Sequence, residues 1–473
     1  MRVLLEGVLS RLMDSWTGGV FLAGVALIAG ADNFQLGIIA ALPFLAQVAQ
    51  LPAVHILTRV HNRRVVVVVA ALASRLLLVL IALLVFTGSL TSGGLVAIMA
   101  ASAVLAVVAT AAWNTWMREA LDPGRFGRFF AFRLQIATVI GAFALLAGGW
   151  FLHVWAKRGM PSDGYAILYL GGAAAGLASA LVLSRTPNPP PVMADEGHRR
   201  SATLLILETL QTPGSGSTVL GLGLAATAMS VALPFTAVYL LRSLGYSVLA
   251  VTFLALASQL AYVVGLRVWG RVSDKYGNRP VMQIAAGMLT ASLLLWSFAW
   301  RGSPGLFAYL ATTHVLSGLA IGGLELTTGN LLLKTAPRHK VAPHLAAFSL
   351  MRAAIAGVAT VLAGLLWEIL GRGPLATWSV AGVTVEFRGF HVLALLSAAA
   401  ALLATRILGR IPEPEAGKVP EVARAMRREV QILSSVAGIR AFTHVSSFLA
   451  EALRRPRRPR KTQTLKHPGG SGP

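Results

Sequence analysis

The chain has 473 residues, 56% of them hydrophobic and 12% charged, with a mean hydropathy of +0.70. A soluble chain carries about 25% charged residues, so this composition excludes an ordinary soluble protein and indicates a polytopic membrane protein. The net charge of +23 comes from Arg and Lys that fall mostly in loops and in the tail, where anionic headgroups account for them without nucleic acid.

About 20 apolar residues at 1.5 Å rise cross the hydrocarbon core of a bilayer. Six such runs occupy residues 12–31, 34–57, 65–86, 93–116, 130–154 and 165–183. A polar segment over 184–217, with Pro187, Pro189, Pro190 and Pro191, cannot span. Six more runs follow at 218–241, 248–269, 281–300, 306–333, 346–370 and 390–408. The predicted architecture is all-α, with 12 transmembrane helices in two six-helix bundles. Residues 1–184 form the first bundle, 185–217 a cytoplasmic linker, 218–411 the second bundle, and 412–473 a cytoplasmic basic tail. In this layout the inner loops hold 15 Lys and Arg and the outer loops 6, which places both termini in the cytoplasm of a cell's inner (plasma) membrane.

An internal repeat supports two like-oriented halves. An offset of 216 positions lays Asn62 and Arg63 on Asn278 and Arg279, Asn114 on Asn330, and Gly141 on Gly357. It also lays Leu146, Ala147 and Gly148 on Leu362, Ala363 and Gly364. An even number of spans per repeat makes the repeat parallel rather than inverted.

The stretch 270–279 interrupts two spans with Gly270, Arg271, Asp274, Lys275, Gly277 and Arg279. Its glycines permit a sharp turn, and its basic residues suit an inner loop. The pattern G-x-x-x-D-x-x-G-x-R between spans resembles the signature loop of the major facilitator superfamily of secondary transporters. That resemblance implies alternating access, with Gly270, Asp274, Gly277 and Arg279 as a conformational switch in which Asp274 accepts from a helix N-terminus or from Arg279. In the first half Thr58 stands where the acid would be, so control of closure is expected to be asymmetric. A second loop, from Arg118 to Arg133, is similar to the P-x-x-R-G-R-x-F-x-x-R loop of a bacterial subset of the superfamily. Arg125, Arg128 and Arg133 there face headgroups or the acids Glu119 and Asp122.

Ionisable residues inside spans are costly unless paired or hydrated, and so point to function. Glu325 is the first candidate for proton coupling and Asp14 the second; Asp14 could instead reach the surface and pair with Arg11. Arg75 is a counter-charge, an anion ligand or a structural partner, and His314 lies in the outer half of the tenth span. Gln47, Gln50, Gln135, Gln259 and Asn330 could face a substrate cavity or hold neighbouring helices together.

In the tail, apolar residues at helical spacing over 421–453 read as an amphipathic helix, and 454–461 as a basic run for anionic lipid headgroups. With no cysteine, thiolate chemistry and disulfides are excluded. No phosphate-binding loop, nucleophile elbow or histidine cluster is present, so no enzyme, cofactor or metal is expected. The reading is a monomeric secondary transporter of a small organic solute, with proton-coupled export as the lead. Uptake or facilitated transport, or a receptor or scaffold that does not transport, are the alternatives.

Overall fold

A computed structural model describes residues 2–53, 60, 62–120, 126–187, 215–336, 341–380, 383–411, 413 and 416–426. Residues up to Val422 form one compact unit. Residues 188–214 of the linker, the loop around Thr58, residues 121–125 of the loop from Arg118 to Arg133, and the basic run 454–461 lie outside the described residues. Of the expected tail helix, residues up to 426 are described, and they are helical from 419.

The first span is broken into α1 (Arg2–Thr17) and α2 (Gly19–Ile28). The first half continues with α3 (Asn33–Leu45), α4 (Arg63–Phe86), α5 (Ser92–Ala120), α6 (Phe126–Lys157) and α7 (Pro161–Ser184). The second half opens with α8 (Ser215–Val231), which gives way to a 3-10 turn at Leu233–Phe235 and a π turn at Tyr239–Ser243. It continues with α9 (Val248–Tyr276), α10 (Asn278–Trp296), α11 (Leu306–Thr335), α12 (Val341–Ile369) and α13 (Gly389–Leu408). Among the described residues, ten helices are long and apolar enough to cross a membrane. The broken α1–α2 pair and α10 supply the other two of the expected twelve.

The breaks in the first and seventh spans were not anticipated from hydropathy, which averages over them. Each has a local cause. Gly19 takes φ of 53°, a left-handed conformation that glycine adopts without a Cβ clash. Pro234 lacks the N–H that would continue the helix. The offset of 216 lays Gly18 on Pro234, so both halves break their first span at the same depth. Beyond the breaks, α2 packs against the segment Thr236–Val238.

Two further features differ from expectation. Residues 270–276 continue α9 as helix, and the turn is confined to Gly277, whose φ is 88°. Between α12 and α13 the expected loop is an antiparallel hairpin, β1 (Pro374–Val380) with β2 (Val383–Arg388), pairing Thr377 with Glu386 and Trp378 with Val385. Its β-branched and aromatic residues favour the extended state, and Trp378 stacks on Phe387 with centroids 6.5 Å apart.

Across the two halves, α3 lies against α12 and α6 against α9. A Cβ at Gly364 would sit 2.7 Å from the Gly37 Cα and 2.8 Å from the Asn33 carbonyl oxygen, so these backbones touch directly. Fully buried Asn33 knits the contact: its backbone N–H donates to Glu368 Oε2 at 2.8 Å, and its Oδ1 accepts from Arg242. The Arg242 guanidinium also stacks over Trp367 at 5.3 Å. These bonds lie at the end of the bundle that carries the hairpin.

Overpacking such a contact costs about 1–3 kcal/mol, which shifts a two-state equilibrium roughly tenfold or more. Gly364→Val is therefore expected to part the halves at the hairpin end. The chain has no native cysteine to interfere, so the alkylation rate of Asn33→Cys by a membrane-impermeant reagent reads the change. The rate should rise by about that factor in the Gly364→Val background; an unchanged rate contradicts the gating role of the contact.

Candidate functional site

Helices α9 and α11 approach so closely that a Cβ at Gly318 would lie 2.1 Å from the Ser258 carbonyl oxygen, and one at Gly322 3.2 Å from that of Tyr262. Glycine at both positions is what lets the seam close. The seam brings two side chains together: the Tyr262 hydroxyl donates to Glu325 Oε2 at 2.9 Å. Arg352 of α12 adds a guanidinium nitrogen 3.7 Å from Glu325 Oε1. The Glu325 and Arg352 side chains, an acid and a base inside spans, keep 40% and 36% of their surface exposed. Arg352, assigned to an inner loop by the sequence, lies inside α12.

The first half holds a second charge cluster. Buried Glu6 accepts from Arg133 at 2.8 Å and from Ser10 at 3.0 Å, and Ser10 also meets Ser179 at 2.8 Å. Arg133 additionally lies over the Trp113 ring at 4.9 Å. Among the described side chains, its acidic partner is Glu6. Asp14 is exposed and within electrostatic range of Arg11 and Arg75. Arg75 itself is 9% exposed, passes beside Gly176, and donates to the Ala71 carbonyl at 3.1 Å.

At the turn end of the second half, Asp274 is exposed, and Gly270 sits within α9. The backbone N–H of Arg279 is held by Glu413, five residues after the end of α13. Glu413 Oε2 accepts that N–H at 2.7 Å, and Oε1 accepts the backbone and side-chain N–H groups of Asn278 at 3.1 and 3.0 Å. Lys334 Nζ lies 3.4 Å from the same carboxylate. The carboxylate therefore caps α10 and ties it to α11 and to the segment after α13. Gly277 leaves room for it: a Cβ there would lie 3.2 Å from Glu413 Oε2. Burial works to raise the Glu413 pKa, but the N–H donors of Arg279 and Asn278 together with Lys334 outweigh it and hold the carboxyl below its ordinary value.

The amides are scattered. Gln47 and Gln50 hydrogen-bond each other on the 3-10 continuation of α3, Gln135 is exposed on α6, and Gln259 and Asn330 are half-buried on α9 and α11. His314 donates from Nδ1 to the Leu310 carbonyl at 2.9 Å and lines a cavity beside Trp296. Tyr262 and Glu413 were not singled out in the sequence. Glu413 does carry a signal, since an acid flanked by Pro412 and Pro414 directly after the last span is positioned to cap something.

The family model of the Major Facilitator Superfamily matches residues 218–461, and the chain belongs to that superfamily. No curated protein sequence matches it. In fold it is similar to the nucleoside transporter NupG, at 14% identity and TM-score 0.64, over 86% of this chain and 98% of that one. It is also similar to the xylose transporter XylE from E. coli in an inward open conformation, at 15% identity and TM-score 0.63, over 89% and 98%. A bacterial homologue of the human lysosomal transporter Spinster, inward-facing and unoccupied, superposes at 14% identity and TM-score 0.58, over 90% and 95%. The chain is thus a multi-pass membrane transporter, and not an enzyme.

Glu413→Gln puts an amide N–H against backbone N–H groups, and the expected loss is about 1–2 kcal/mol. Because the folded pKa is depressed, the stabilisation by Glu413 is fully present above the ordinary carboxylate pKa and is lost as pH falls through the folded value. Thermal unfolding in detergent should show the parent above the variant near neutral pH and the two converging in acid. Asp274→Asn, an exposed change, should leave the unfolding temperature where it is. A gap between parent and Glu413→Gln that persists in acid contradicts the capping role.

Proposed function

We propose that this chain is a proton-coupled secondary transporter of a small organic solute, with Glu325 as the proton-carrying group. The observation that carries the proposal is the Glu325 carboxylate, inside a span yet 40% exposed, engaged at once by Tyr262 and Arg352. A carboxylate in that position releases Arg352 when it takes a proton and recaptures it when it loses one. A contact made in one protonation state and not the other biases a two-state equilibrium. Asp14, near Arg11 and Arg75, is the corresponding acid of the first half.

The Lys and Arg distribution favours the turn between α9 and α10 on the cytoplasmic side, with both termini there, in a bacterial type of inner membrane. In that orientation the bonds of Asn33 close the outside, while Asp14, Glu325 and Arg352 are reached from within, an inward-open state. The stretch from Gly270 and Asp274 to Gly277 and Arg279 acts in switching through its last residues, Gly277 and Arg279, which meet the Glu413 clamp that holds α10 and α11 together as one moving piece. The same cycle runs in either direction according to the solute and proton gradients, so export is not part of the proposal.

Proteoliposomes loaded with a pH-sensitive dye test the coupling. A solute that the carrier accepts should alter internal pH when added outside to the parent. Glu325→Gln should bring that proton signal to background while counterflow of labelled solute continues. A proton signal that survives in Glu325→Gln assigns the coupling elsewhere, with Asp14→Asn as the next variant.

A further inference from the structure

A cavity of about 230 Å³ lies between α2, the broken seventh span, α9, α10 and α11. No charged side chain lines it; most of the wall is apolar, with Val20, Leu240, Val251 and Ile321 among its residues. One side chain in the wall, His314, carries an acceptor that the described protein leaves unused; Trp296 beside it is 1% exposed, with its indole N–H sealed from the cavity. His314 stands edge-on to the Trp296 ring with centroids 5.2 Å apart. Because the Nδ1–H of its neutral ring is spent on the Leu310 carbonyl, Nε2 is left as an acceptor. The cavity wall therefore carries an acceptor on the His314 ring.

The cavity continues into the seam already described. Ser258 and Ile321 line it, and each is followed four residues later on the same helix face by Tyr262 and Glu325. The hydrogen bond between Tyr262 and Glu325 is thus one helical turn beyond the cavity toward the turn end of the bundle. At the side, Gly318 against Ser258 leaves no gap between α9 and α11.

We infer that this cavity is a binding site for a small uncharged solute bearing hydroxyl groups, closed toward the turn end by the bond between Tyr262 and Glu325. A hydroxyl can donate to His314 Nε2. A charged solute would lose its hydration with no counter-charge in the wall. The volume is below the roughly 300 Å³ at which drug-sized pockets begin, so the solute is of single-ring size. The inference deepens the transporter reading and rests on it only for the passage of the solute across the membrane.

The absence of cysteine gives a direct test on the full-length protein in detergent. Ser258→Cys places a single thiol in the cavity wall. N-ethylmaleimide, small and neutral, should alkylate it. Cationic and anionic methanethiosulfonates that modify Asp274→Cys should leave it intact. Saturating cyclohexane-1,2-diol should slow the alkylation, while cyclohexanecarboxylate and cyclohexylammonium, with the same ring and a charge, should not. In the His314→Phe background the diol concentration needed for protection should rise by about tenfold, and Tyr262→Phe should speed labelling by a similar factor. Ala255→Cys, on the same wall, repeats the test if Ser258→Cys is not monodisperse. The inference is overturned if charged reagents modify the cavity thiol as fast as Asp274→Cys, if the diol and the carboxylate protect alike, or if no reagent reaches it. Labelling reads the cavity without any proton movement, so it stands or fails separately from the coupling by Glu325.

Discussion

The contact of helix backbone with helix backbone at glycine is the constraint from which the rest of this structure follows. In lipid there is no hydrophobic drive to press helices together, so they associate where small residues let their surfaces approach. Gly318 against the Ser258 carbonyl closes α9 on α11. That closure sets Tyr262 opposite Glu325 and leaves, one turn away, a cavity whose wall is mostly apolar. Gly37 against Gly364 does the same between the halves and fixes which end of the bundle is shut. A larger residue at any of these positions would change the spacing at which the polar groups meet.

The two halves descend from one repeat but solve the problem of intramembrane charge differently. In the first half, Glu6 is 5% exposed against Arg133 and Arg75 is 9% exposed beside Gly176, and Asp14 alone of the three stays exposed. In the second half the charges are partly exposed, as with Glu325 and Arg352, or cap a helix end, as with Glu413. Thr58 in place of an acid and Ala109 in place of Glu325 mark the same divergence in sequence. The broken first spans, by contrast, are shared, and each break is made by a residue that cannot continue a helix there.

Much of the fold is legible in the sequence because lipid imposes a length on every apolar run, and the runs over 65–86 and 248–269 show it plainly. What hydropathy averages away is geometry within a run. The pair Gly18 and Gly19 and the lone Pro234 were visible residues, yet a window of twenty absorbs them. Of the candidate site, Glu325, Asp14 and His314 stand out because their cost inside a span is a local property. Tyr262, Arg352 and Glu413 do not, because their meaning lies in which helix faces meet, and that depends on partners 63, 27 and 134 or 135 residues away. Long-range pairing leaves no periodic trace in a sequence this rich in alanine and leucine.

Exposure decides which of the charge pairs can take part in a cycle. Breaking a buried pair strands a charge in a low-dielectric interior and costs about 3–5 kcal/mol. An exposed pair is worth about 0–1 kcal/mol and can open and close at thermal cost. Glu6 with Arg133, mostly buried and braced by Ser10 and Ser179, is closer to the first kind and is expected to persist in every state, as part of the frame. Glu325 with Arg352, at 3.7 Å and more than a third exposed on both sides, belongs to the second. Its oxygen partner Tyr262 lies on the seam that bounds the cavity, so a change of protonation there acts on the cavity through one hydrogen bond and needs no longer path.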